Sequence, residues 1–282
     1  MDLTTLTNEK LHAYIPNVVT EVEGETPLLD KLMPFMEDAD AWLTANIVGS
    51  FEVTSSNKGI LQLVEKSIVK KAFADAIPSL DLILSPSGFG VVSTDQMAPA
   101  SKDRVERLRE STLSSFYAVL NVLVVVLEKE ENWRKTEVGR RICRTFYPSI
   151  ADCDKYRTER SVFDTWIMCR NLTEAFEAQA AEEFLGRKFL PELRKRFYAR
   201  TTSESDDQLI EYIIIAEHKY ISAHLADTSI KCPDRHELYH LCEPIVRFIQ
   251  SDPVLNPMWV DDGFDQFYIE PFKNDVKGAY FF

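Results

Sequence analysis

The run FYAVLNVLVVVL, Phe116 to Leu127, constrains this chain more than any other stretch. Apolar residues in such density must leave water, yet the run is well short of the ~20 residues of a bilayer-crossing helix. It therefore reads as a buried helix segment. The helix that holds it is expected from Pro99 to about Glu131, closing at EKEE, with Val119, Leu120, Leu123 and Leu127 spaced to line a core.

Helical punctuation surrounds that run. Thr26-Pro27 offers an N-cap residue followed by proline at a first helical position, ahead of LLDKLMPFMEDADAWLTANIVG. Pro34 lies inside this segment and is expected to kink or split it. A second helix is read from about Gly59 to Ile77, with Ile60, Leu61, Val64, Ile68 and Ala72 on one side. The period then changes. LDLILSPSGFGVVS has two short β-rich runs around Ser85-Pro86-Ser87-Gly88, which reads as a hairpin at about 81–93. After a mixed stretch near YPSIADCDKY, helices are expected at about 161–185, ending at Gly186, and at about 188–199, 205–226 and 234–250.

The fold class is thus mainly α: a helical bundle with a small β-hairpin after the second helix. The expected division is an N-terminal helical domain at 1–135, a second helical domain at 136–250 and an irregular aromatic tail at 251–282. The two parts echo each other. MEDADAWLTANIVG before GILQLVEKSIVKKAFADAI resembles EAQAAEEFLGRKFLPELRKRF before DDQLIEYIIIAEHKYISAHL, which suggests duplicated helical halves.

Composition removes several function classes. Only 9 glycines occur in 282 residues, and neither G-x-G-x-x-G nor G-x-x-x-x-G-K-[ST] is spelled anywhere. A net charge of −13 disfavours broad nucleic-acid binding, and no sequence-specific contact with nucleic acid is expected. The basic cluster Arg187, Lys188, Arg194, Lys195, Arg196 and Arg200 reads as a solvated face. Five cysteines, an odd number with no C-x-x-C pair, fit reduced thiols in a cytoplasmic protein. The start, MDLTTLTNEK, has neither the basic start nor the apolar run of a secretion signal, and no membrane partner is expected.

HELYH, residues 236–240, is the spelling of a zinc-hydrolase helix. Residues four apart share a helical face, so His236 and His240 could bind one ion, with Glu237 polarising its water. Glu243, Asp252, Asp261, Asp262 and Asp265 are the downstream candidates for a third ligand. The context opposes the reading. Pro233-Asp234 marks a helix start, which puts His236 in the first turn, and Glu243 and Val246 stand where an extended motif has glycine and histidine. The segment reads as an amphipathic helix burying Leu238, Leu241, Cys242, Ile245, Val246 and Ile249. Cys242 and His240, two apart, point in different directions. No enzyme, cofactor or metal site is expected.

One segment carries a family resemblance. SPSGFGVVSTDQMAPASKDRVERLRESTLSSFYAVLNVLVVVLE, residues 85–128, resembles an uncharacterised family of tailed phages and prophages, in which a V-V-S strand leads through an A-S step into a long helix beginning K-x-R-V-E-R. AYIPNVVTEVEGETPLLDKLMPFMEDADAWLTANIVG and the closing FKNDVKGAYFF are similar to the same family. The plan of residues 26–131 also resembles the small helical head–tail connector, or adaptor, proteins, though this chain is much larger. The resemblance implies a structural assembly protein that forms homo-oligomeric rings and meets portal or tail components, in the bacterial host cytoplasm or the virion. Contacts are then expected at the hairpin loop, through Phe89, and along the tail, through Trp259, Phe264, Phe267, Phe281 and Phe282. The competing reading folds the tail aromatics onto the protein's own core.

Overall fold

Residues 3–15, 26–80, 82–85, 88–91, 101–157, 159–226 and 235–263 are described by a computed structural model, with backbone alone at 55, 82–85 and 88–91. The chain is mainly α and divides into two compact units. The first comprises 1–143 with 149–163, and the second 144–148 with 164–282.

In the first unit, Thr7 caps α1 (Asn8–Tyr14), its hydroxyl accepting from the Lys10 amide at 3.4 Å. The next helix, α2 (Leu28–Leu43), runs through Pro34 without being split. The ring removes one backbone donor, but the helix is held by the face that buries Leu32, Met36, Ala39 and Leu43. α3 (Lys58–Ala76) packs against both α2 and the long helix that follows, and buries residues on most of its circumference. β1 (Leu82–Ser85) pairs antiparallel with β2 (Gly88–Val91), Leu82 opposite Val91 and Ser85 opposite Gly88. The turn residues 86 and 87 lie outside the described residues. α4 (Lys102–Leu127) then buries Phe116, Leu120, Leu123, Val124 and Leu127, while Val119 is only partly covered. Three short helices complete the unit: α5 (Glu131–Arg134), α6 (Glu137–Ile142) and α7 (Ile150–Cys153).

Besides residues 144–148, the second unit takes in most of α8 (Val162–Ala180) and continues through α9 (Phe189–Ala199), α10 (Glu204–Ala226), α11 (Arg235–Ser251) and α12 (Leu255–Asp261). Ser203 and Asp206 start α10 as a reciprocal cap: Ser203 Oγ accepts from the Asp206 amide at 3.1 Å, and Asp206 returns the contact to the Ser203 amide at 3.0 Å. Phe176, Leu193, Leu209, Ile213, Leu238 and Ile245 are among the residues of its core.

Two expected boundaries move. Residues 136–143 stay with the first unit, because Trp133 and Val138 pack against the end of the α2 segment. The stretch from 251 is not irregular at its start: Asp252 accepts from the amides of Val254 and Leu255, at 2.8 and 2.9 Å, and so opens α12. Residues 264–282 lie outside the described residues.

The units share one local device. After α2 the chain widens into a turn closed by a five-residue hydrogen bond, Gly49 N to Thr44 O at 2.8 Å. After α8 the same turn is closed by Gly186 N to Ala181 O at 3.0 Å. Both glycines have positive φ, 63° and 102°, where a side chain is strained. In each unit a buried tryptophan indole donates to the carbonyl two residues before the glycine: Trp133 to Ile47 at 2.8 Å, and Trp259 to Phe184 at 3.0 Å. The third residue after each tryptophan abuts the glycine, Thr136 in one case and Asp262 in the other.

Candidate functional site

The helix α11 carries the two histidines on its solvent face. His236 and His240 are exposed, and their Nε2 atoms face each other at 3.3 Å. That is the arrangement four-residue spacing produces, and these two nitrogens are where a metal ion would be held. Glu243 does not complete a third position beside them. Its Oε2 lies on the other nitrogen of His240, at 4.0 Å from Nδ1, and its Oε1 accepts from Arg247 at 2.5 Å. No third His, Cys, Asp or Glu makes a metal-holding group with them among the described residues.

The other downstream carboxylates have different employment. Asp252 caps α12, and Asp262 Oδ2 accepts from the amides of Lys188 and Phe189 at 2.6 and 2.9 Å, at the start of α9. Asp265 and the expected helix start at Pro233-Asp234 lie outside the described residues. Cys242 is fully buried on the opposite side of α11 from His240, and its thiol is pushed up by burial and then by the Glu183 carboxylate. A thiol held neutral in this way is a poor nucleophile.

The expected contact residues separate. Trp259 is corrected to a core residue: it is 2% exposed, and its indole is spent on Phe184. The side chain of Phe89 and all of Phe264, Phe267, Phe281 and Phe282 lie outside the described residues. The basic cluster is also not a plain solvated face. Arg194 reaches the buried Glu177, and Arg196 holds Asp206 through two bonds of 3.1 and 2.6 Å. Asp206 is partly desolvated, which would raise its pKa, but the bonds from Arg196 and Ser203 hold it below the usual range.

A surface the sequence reading missed lies along α4. Leu108, Val122 and Val125 are 50%, 48% and 37% exposed, with exposed Ser111 and Ala118 between them. Positions 108, 111, 118, 122 and 125 fall on one stripe, opposite the face that buries Leu120, Leu123 and Leu127. The signal was in the spacing. The whole run from Phe116 to Leu127 reads as buried, with Val119, Leu120, Leu123 and Leu127 lining the core, whereas a straight helix must turn some of its residues outward. Beside this stripe, Arg107, Ser114, Tyr117 and Asn121 of α4 face Ile150 and Asp154 across an open cleft of about 890 Å³. The whole of α4 is also longer than its apolar run: by length and composition it is long and apolar enough to cross a bilayer, a test that core helices also pass, with a mean hydropathy of 1.6 over its most apolar window.

Residues 17–142 match a family of unknown function, DUF6712. The match spans most of the first unit and stops before the second. No curated protein and no solved structure matches the chain.

Proposed function

We propose that this chain is a structural assembly protein of a tailed phage or prophage, a head–tail connector or adaptor that acts through protein–protein contacts and not as an enzyme. It works in the bacterial host cytoplasm or in the virion, and its partners are further copies of itself and portal or tail components. The observation that carries the reading is the outward apolar stripe of α4, Leu108, Val122 and Val125. Leucine and valine in solvent at helical spacing suit a neighbouring helix, and ring assembly supplies one from a second copy. The likeness of residues 13–49 and 85–128 to the phage family supports the same role.

The paired turns after α2 and α8, each clamped by a tryptophan, support descent of the two units from one helical module, with β1–β2 as a hairpin belonging to the first copy. The experiment is copurification. A tagged full-length chain produced with portal and tail proteins should bring down a portal complex, and Val122→Glu should lose it with helical content unchanged. Recovery of the chain alone from both would sink the connector role.

A zinc hydrolase is the second reading, favoured by the 3.3 Å approach of His236 and His240. Elemental analysis decides it. One zinc per purified chain, lost in His240→Ala, would support the hydrolase and overturn the connector.

A further inference from the structure

The core of the second unit holds two glutamates that an apolar bundle does not need. Glu177 of α8 and Glu217 of α10 are 2% and 0% exposed. Glu177 Oε1 accepts from the Phe146 amide at 2.8 Å, and its Oε2 takes the guanidinium of Arg194 from α9. The side chain of Glu217 sits against Glu177, and neither of its oxygens meets a donor among the described residues. The other nearby guanidinium, Arg170, donates to Thr145 Oγ1 at 3.1 Å and to the Pro148 carbonyl at 3.4 Å. The next residue, His218, stacks on Tyr147, with 5.6 Å between ring centroids. From α11 the buried residues are Leu238, Cys242, Ile245, Val246 and Ile249, apolar apart from a neutral thiol. Among the described residues, four oxygens of two bare carboxylates would share the Phe146 amide and the Arg194 guanidinium as hydrogen-bond donors, with Arg170 bonded to Thr145 and Pro148. Protonation of Glu217 removes the conflict, because it turns that carboxyl into a donor for which Glu177 is the acceptor.

We infer that Glu177 and Glu217 share one proton, and that this proton is a pH-sensitive tie between α8 and α10 that loosens the second unit as the solution becomes alkaline. Burial pushes both carboxyls up; for Glu217 the negative charge of Glu177 adds to it and places that group well above the ordinary glutamate range. The folded unit thus holds the proton to a higher pH than the unfolded chain does. The stability it confers is complete below the ordinary glutamate range and is lost as pH rises through the pair's own titration.

The test uses the full chain. Infrared difference spectra of the wild type at neutral pH should show the carbonyl band of a buried, protonated carboxylic acid, absent in Glu217→Gln. Amide hydrogen exchange over residues 204–226 should quicken with rising pH beyond the intrinsic base-catalysed trend, by up to roughly tenfold per pH unit for one proton. Glu217→Gln, whose amide donates to Glu177 at every pH, should follow the intrinsic trend alone. A wild type without the protonated-acid band at neutral pH overturns the proposal whether or not the variant folds. Parallel exchange profiles in the two proteins would overturn it as well.

Discussion

Two glycines show most plainly how single residues decide this fold. Gly186 has a φ of 102°, and a Cβ there would sit 2.5 Å from Asp262 Oδ2, the oxygen that accepts from the amides of Lys188 and Phe189. A methyl group therefore strains the backbone and displaces the cap of α9 together. Gly186→Ala should cost about 1–3 kcal/mol from the backbone alone, read as a shift in the urea midpoint. Gly59, with open space where its Cβ would stand, is the control. There alanine should be neutral or slightly stabilising, since it lies inside α3. Equal losses at the two positions would mean that the turn at Gly186 is not the constraint described here.

At the scale of elements, α4 has two apolar faces with different tasks. Leu123 is fully buried, so Leu123→Ala should cost roughly 2–5 kcal/mol as a cavity. Val122, its neighbour in sequence, is nearly half exposed, and Val122→Glu should change the stability of the isolated chain by no more than about 0.5 kcal/mol. Denaturant unfolding of both variants checks the pair of expectations. A large loss at Val122 would place that residue in the core. Much of this scale was legible in the sequence. The stop at Gly186 and the spacing of Ile60, Val64, Ile68 and Ala72 each report a local rule that the chain obeys. What escaped depended on partners far along the chain. Whether Trp259 meets a partner or the chain's own core is not decided locally, because nothing nearby reveals the Phe184 carbonyl 75 positions earlier. Pro34 looked like a break because the burial of Met36 and Leu43 that holds α2 together is tertiary. The charge pattern around Arg194 likewise said nothing of a buried Glu177.

For the whole molecule, the repeated clamp is the organising feature. Trp133→Phe and Trp259→Phe each remove an indole donor from a buried carbonyl, and each should cost about 1–3 kcal/mol, confined to its own unit. Hydrogen exchange mapped by peptide would show the loss in residues 28–76 for the first and in 164–226 for the second. Loss spread over both units by either change would argue against two separately built modules. The claim at the centre of this account is that the outward stripe of α4 is covered by a second copy of the chain. Sedimentation velocity of the full-length protein, beside the double variant Val122→Glu with Val125→Glu, tests it most directly. The account predicts a closed oligomer for the wild type and a single chain with unchanged helical signal for the variant. A wild type that sediments as one chain at every concentration, or a variant that assembles as well as the wild type, would contradict it.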